Sequence, residues 1–153
     1  MAGNHTNGRW HELARVRAAL SCHRLWTALL DKTEHPERYN PGIRAATVLD
    51  HDPTVVVRRT VPTRGDPFNE LVRHACRDRR VEVQRYGGTW CTAQAVVTCK
   101  QDWTWLVYEV SDPVAAKSEG GIDEASARRT LQHLVRAARR GVEAPREETW
   151  RAY

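Results

Sequence analysis

The chain has 153 residues and a formal net charge of +5, and 41% of its residues are hydrophobic and 28% charged. This length and composition are ordinary for one globular domain with a single core. No segment approaches the roughly 20 apolar residues of a membrane-spanning helix, and the start of the chain has no apolar signal segment, which excludes a helical membrane protein. We therefore expect a cytoplasmic protein.

The N-terminal third predicts a strand followed by a short helix. Residues 1–8 are polar and rich in Asn and Gly, and we expect a flexible leader there. Residues 10–20 alternate loosely and predict the first strand. Ser21 is a suitable N-cap for a helix whose apolar residues Leu25, Trp26, Leu29 and Leu30 recur at helical spacing, and Pro36 forbids its continuation.

The middle of the chain predicts an antiparallel meander. Six apolar or alternating runs are separated by short turn sequences such as Asp52-Pro53 and Gly87-Gly88. The predicted strands are 43–50, 54–62, 69–77, 80–86, 91–101 and 103–110. No helix-length segment separates them, so neighbours in sequence should pair in the sheet.

The C-terminal part predicts a loop, a long helix and a tail. Residues 111–121 are interpreted as a loop, and 122–140 carry apolar residues on one helical face before Gly141. Residues 142–153 contain Pro145 and mixed charge, which is typical of a tail. We expect a single domain over residues 9–141.

One segment resembles a known family. Residues 25–41, LWTALLDKTEHPERYNP, are similar to the LW..L..K...P..F.P segment of the AtaL-like branch of the START-like (SRPBCC) superfamily, which includes polyketide cyclases and lipid-transfer proteins. Tyr108-Glu109 resembles the YE motif of that branch. The resemblance implies an α+β helix-grip fold, in which a curved antiparallel sheet of about six or seven strands wraps around a long C-terminal helix. It implies no catalytic residue, and the Arg-rich segment 63–88 departs from the pattern.

Alternation along the strands predicts which side chains face the interior. Cys91, Ala93, Ala95, Val97 and Cys99 form one small apolar face, and we expect it to point inward. The same reasoning predicts three further inward faces, which are Val55, Val57, Arg59 and Val61; Glu70, Val72, His74 and Cys76; and Trp103, Trp105, Val107 and Glu109.

These faces predict an acid-base group in an internal pocket. The candidate catalytic residues are Arg59, Glu70, His74 and Glu109. A histidine can move a proton near neutral pH, and a carboxylate beside an apolar wall can act as a general acid. The candidate ligand-binding residues are Cys76, Tyr86, Trp90, Trp103, Trp105 and Tyr108. The alternative interpretation is structural, with Arg59 and Glu109 as an ion pair and His74 as a buried core residue.

No motif indicates a metal or a cofactor. His74 and Cys76 are a weak pair of candidate metal ligands, since two alternate residues on one strand seldom form a site without others, and GxSxG, P-loop and GxGxxG sequences do not occur. The four cysteines form no CxxC pair and are expected to be reduced. We expect a function without cofactor or metal.

Three functions are compatible with these features. The first is a cofactor-independent cyclase, dehydratase or related lyase or isomerase of natural-product biosynthesis, acting on a small hydrophobic or aromatic metabolite as a monomer or homodimer. The second is a non-catalytic carrier of such a metabolite. The third is binding of nucleic acid or an acidic partner through the arginines at 58–59, 77–80 and 136–140, although interspersed acidic residues make solvated faces the preferred explanation.

Overall fold

A computed structural model describes residues 9–98 and 103–141 of the chain. The predicted leader, the predicted tail and Cys99 lie outside the described residues. In the part of the chain that is described, no helix is both long and apolar enough to cross a bilayer.

Seven strands form one antiparallel sheet, as the turn chemistry predicted. They are β1 (His11–Ala18), β2 (Ile43–His51), β3 (Val55–Pro62), β4 (Phe68–Ala75), β5 (Arg80–Arg85), β6 (Cys91–Thr98) and β7 (Thr104–Val110). The spatial order is β1-β7-β6-β5-β4-β3-β2, so β2 to β7 are a meander and β1 closes its far side beside β7. Register shifts interrupt the regular pairing of β1 with β7 and of β2 with β3, and both β1 and β2 are edge strands.

Three α-helices accompany the sheet, namely α1 (Cys22–Glu34), α2 (Pro113–Gly120) and α3 (Glu124–Arg140). The predicted cap of α1 is confirmed, because Ser21 Oγ accepts a hydrogen bond from the Arg24 amide at 3.2 Å. Helix α2 corrects the predicted loop at 111–121. Its eight residues are too short and too weakly amphipathic to show helical periodicity, but Asp112 caps it and Pro113 occupies its first turn.

Helix α3 lies along the concave side of the sheet. Asp123 and Ser126 form a capping box at its start, and the helix packs on β1, β7 and α1. Its buried face holds Leu131 and Leu134, both fully buried. The start lies two residues later than predicted, because Asp123 is the cap. The result is a core shared by two helices and the inner face of the sheet.

The inward face is predicted correctly on β4 and wrongly on three other strands. On β3 the buried residues are Val56, Arg58 and Thr60, whereas Arg59 is exposed. On β7 the inner face holds Leu106 and Tyr108 instead of the predicted set. A one-residue error in phase exchanges the two faces of a strand, so the period was correct and the assignment of the faces was not.

Strand β6 shows the physical reason for these errors. Ala93 and Ala95 are buried, but on the convex side, where they pair with Glu82, Glu109 and Arg80 on the neighbouring strands. The long charged side chains cover small neighbours with their aliphatic stems and keep their charges near water. Burial of a small residue therefore does not mean that it faces the interior.

Candidate functional site

A cavity of about 780 Å³ lies between the concave face of the sheet, the end of α1 and α3. Much of its wall is apolar. The apolar side chains on the wall are Leu29, Pro36, Pro41, Ile43, Pro62, Phe68, Val81, Val83, Trp90 and Ile122. Its volume lies within the usual range for small-molecule sites. The opening is marked by exposed lining residues, among them Asn40, Tyr86, Gly87 and Arg129.

Five polar residues line the cavity from deep positions, and we call them the polar cluster: Lys32, Arg58, Glu70, Gln94 and Tyr108. Arg58, Gln94 and Tyr108 are each less than 10% exposed, at 6%, 8% and 6%. The five residues of the polar cluster come from α1, β3, β4, β6 and β7, in that order, so the cluster exists only in the folded protein.

Lys32 places an amine in the cavity. Its Nζ donates a hydrogen bond to Gln94 Oε1 at 3.0 Å. Burial, and secondarily the Arg58 charge, lower the pKa of Lys32 to about 7, while Glu70 acts in the opposite direction. At neutral pH a large share of Lys32 is therefore the neutral amine.

Arg58 joins the sheet to the end of α1. Its Nε donates to Glu70 Oε1 at 2.9 Å, and its Nη1 donates to the carbonyl oxygens of Lys32 and Thr33 at 3.3 and 2.9 Å. Glu70 Oε1 also accepts from the Thr60 hydroxyl at 2.7 Å. The guanidinium thus satisfies helix carbonyls that have no partner within the helix, and neutralises a buried carboxylate.

Tyr108 supplies a phenol on the inner face of β7, beside Gln94 on β6. Burial raises the pKa of Tyr108 to about 12, a hydrogen bond with the Thr92 side chain opposes this, and the Glu70 charge raises the pKa further. The phenol therefore stays protonated at neutral pH and can donate a hydrogen bond to a ligand oxygen.

Trp90 forms one side of the cavity near α2. Its indole Nε1 donates to Glu119 Oε1 at 3.2 Å. A Cβ atom at Gly120 would lie 2.6 Å from Cη2 of this ring, so glycine is required for the indole to pack there. Trp90, Tyr86 and Tyr108 are the predicted ligand-binding residues that line the cavity.

The predicted catalytic set is divided between the two sides of the sheet. Glu70 lines the cavity and belongs to the polar cluster. His74 is buried on the same inner face, but it lies behind the cavity wall, where its Nε2 is 3.4 Å from Thr33 Oγ1. Cys76 follows β4 in a short 3-10 turn and does not line the cavity.

The other predicted residues lie on the convex side. Arg59 is exposed there, and Glu109 pairs with Arg80 instead of Arg59. Arg17 stacks over Trp103 with its guanidinium carbon 3.9 Å from the ring centroid, and it lies 5.9 Å from the ring of Trp105. These side chains form a cation–π surface outside the cavity.

Sequence reasoning missed Lys32, Arg58 and Gln94 as site residues. Lys32 had a detectable signal, because it follows Leu25 and Leu29 by seven and three residues and so lies on the buried face of α1. Arg58 and Gln94 were missed because the inner and outer faces of β3 and β6 were exchanged in the prediction.

No protein-family model matches the sequence, and no curated protein matches it. Solved structures, in contrast, show that the chain has the helix-grip fold that the resemblance implied. TTHA0849 from Thermus thermophilus aligns with a TM-score of 0.64 at 11% identity, over 86% of this chain and 98% of the other. Norcoclaurine synthase from Thalictrum flavum aligns with a TM-score of 0.62 at 13% identity, over 89% and 90% of the two chains.

A third similar structure is the Zhui aromatase/cyclase from Streptomyces sp. R1128, with a TM-score of 0.54 at 16% identity over 86% of each chain. Norcoclaurine synthase has also been solved in complex with dopamine and hydroxybenzaldehyde. At these identities the comparisons establish the fold, and function has to be argued from the cavity.

Proposed function

We propose that the cavity binds a small, largely apolar organic molecule and that the protein is a cofactor-independent enzyme of the cyclase or dehydratase type in natural-product biosynthesis. The observation that carries the proposal is the polar cluster in a cavity of about 780 Å³ whose wall also carries many apolar side chains. The apolar wall suits an aromatic or polyene body. The polar cluster suits a ligand with an oxygen-bearing end.

The polar cluster can supply a base and a hydrogen-bond donor for a proton transfer from the ligand. Lys32, with a pKa near 7, can accept a proton from an acidic C–H or O–H group, and Tyr108 can donate a hydrogen bond to an oxygen that gains negative charge. We therefore assign the acid-base role to Lys32, with Tyr108 as hydrogen-bond donor, in place of the predicted His74 and Glu109. The predicted residue Glu70 contributes indirectly, because its carboxylate accepts a hydrogen bond from Arg58 and holds the guanidinium beside the cavity.

The structural neighbours are compatible with this proposal. One is named as an aromatase/cyclase, and another has been solved with dopamine and hydroxybenzaldehyde, which are small aromatic molecules. Membership of the SRPBCC superfamily, and of its AtaL-like branch in particular, is part of the same proposal and rests on segment 25–41.

Filling the cavity tests ligand binding. Val83 lines the cavity, and Val83→Trp adds an indole to it, whereas Val97→Trp adds the same group at a 41% exposed position away from it. We expect 2-naphthol to bind the wild type with one site and to bind Val83→Trp about tenfold more weakly or worse, because the ring loses its space. Isothermal titration calorimetry measures both affinities.

The control variant Val97→Trp should bind 2-naphthol within about twofold of the wild type. Equal affinity in all three proteins would place the site elsewhere and contradict the proposal. A wild type that binds no 2-naphthol would contradict an aromatic ligand in this cavity.

A carrier is the second candidate, because the same cavity can hold a metabolite without changing it. Native mass spectrometry of protein from its own host, followed by extraction, identifies a bound molecule. If that molecule returns unchanged after prolonged incubation with fresh protein, the carrier is favoured over the enzyme.

The arginine clusters support a nucleic-acid partner less than the sequence suggested. Arg58 is 6% exposed and engaged with Glu70, so the pair at 58–59 presents one guanidinium to solvent. We therefore retain the small-molecule function.

A further inference from the structure

Lys32 differs from an ordinary buried lysine in its partners. Among the residues that the structure describes, it forms no ion pair with a carboxylate, and its hydrogen bond goes to the neutral amide oxygen of Gln94. The nearby carboxylate of Glu70 is already engaged by Arg58 and by Thr60. A protonated Lys32 would add an uncompensated charge beside a guanidinium, which disfavours protonation.

The position of Lys32 is also fixed. Arg58 binds the carbonyl oxygens of Lys32 and Thr33, which ties the backbone at this point to β3. Gln94 then orients the amine within the cavity. A nucleophile held in one place beside a bound ligand reacts as if at high local concentration.

We propose that Lys32 forms an imine with an aldehyde or ketone carbonyl of the molecule in the cavity, so that the ligands of this protein are carbonyl compounds. This inference rests on the proposed function, since it requires a ligand in the cavity. Lysine amines that are activated by desolvation or by a neighbouring cation, as Lys32 is by burial and by Arg58, form imines with carbonyl groups in covalent catalysis.

The reaction requires no further reagent. The lone pair of Lys32 Nζ forms a bond to the carbonyl carbon while the π electrons move to oxygen, and a proton transfers from nitrogen to that oxygen. The carbon–oxygen bond of this carbinolamine then breaks, and the oxygen leaves as water with both hydrogens of the original amine. The carbon–nitrogen double bond remains. Tyr108 lies in the same polar cluster and can donate a hydrogen bond to the oxygen during addition.

Reductive trapping tests the inference. The full-length protein is incubated at pH 7.5 with 2-naphthaldehyde and sodium cyanoborohydride, then digested and analysed by mass spectrometry. The sequence has three lysines, at 32, 100 and 117, so assignment is simple. Reduction of the imine adds the mass of the probe less one oxygen atom. We expect modification at Lys32 on the order of a hundredfold faster than at exposed Lys117, because burial lowers the pKa of Lys32 to about 7 and the cavity holds the probe beside its amine.

Two controls separate the possible outcomes. Lys32→Met removes the amine and keeps a neutral side chain of similar length, so it should lose the rapid modification, and 2-naphthol should slow modification of the wild type by competition. Equal rates at Lys32 and Lys117, or equally rapid modification of another lysine in Lys32→Met, would overturn the inference. If 2-naphthol binds but Lys32 is not modified, imine formation is contradicted and ligand binding in the cavity still stands. If neither 2-naphthol nor 2-naphthaldehyde binds, both proposals are contradicted.

Discussion

Replacing Arg58 by alanine is expected to lower the free energy of unfolding by about 3 to 5 kcal/mol, because a buried side chain is removed and the partly buried carboxylate of Glu70 loses its only ion-pair partner in the described structure. The change also removes the donor to two carbonyl oxygens at the end of α1. Urea denaturation of the wild type and Arg58→Ala, monitored by circular dichroism, measures the difference.

The neighbouring residue provides a matched control. Arg59 is exposed on the convex side, and Arg59→Ala should change the free energy of unfolding by less than about 0.5 kcal/mol. The double variant Arg58→Leu/Glu70→Leu should recover about 2 kcal/mol of the loss, because it leaves no unpaired charge. If Arg58→Ala and Arg59→Ala lowered the free energy of unfolding equally, Arg58 would not stabilise the structure through the contacts described.

Lowering the pH from 7 to 5 is expected to destabilise the wild type by about 2 kcal/mol through His74 alone. Burial lowers the pKa of His74 from its ordinary 6.5 to about 4, and the Arg58 charge contributes in the same direction, against a backbone hydrogen bond with Thr54. Between pH 6.5 and 4 the unfolded chain therefore binds more protons than the folded chain. Stability is full above pH 6.5 and falls as the pH approaches 4.

A comparison of variants isolates this contribution from that of the carboxylates. His74→Gln should lose about 2 kcal/mol less than the wild type over the same pH interval, whatever its stability at pH 7. His23, which is exposed on α1, supplies the control His23→Gln, which makes the same substitution but keeps the buried imidazole of His74. If His74→Gln and the wild type decline in parallel, His74 titrates normally and its burial does not govern acid stability.

Local chemistry predicted the elements of this fold, because the signals for them lie in adjacent residues. Ser21 caps α1, Gly87 adopts a φ of 79° in the turn between β5 and β6, and Pro36 follows the end of α1. The order of strands in the meander followed from the short turns. Helix α2 escaped detection because its only strong signals are its cap and Pro113.

The candidate site was harder to predict because on β6 the inner face is the more polar one. Thr92 and Gln94 line the cavity, while Ala93 and Ala95 are buried on the convex side. A strand that lines a cavity can carry polar residues on its inner face, so the ordinary rule of apolar residues inward selects the wrong phase there. Arg58 and Arg59 cannot be distinguished by composition, and only the pairing with Glu70 decides between them.

Because Arg58 binds both the end of α1 and Glu70 in the wall of the cavity, the side chain that would shape the proposed ligand site also holds the fold together. Natural variation and laboratory selection for new ligands should therefore leave Arg58 and Glu70 unchanged. Changes in specificity should accumulate instead at Val83 and Thr92, which line the cavity and take no part in holding the helix to the sheet. A library randomised at those two positions should retain many folded members, and one randomised at Arg58 should retain few.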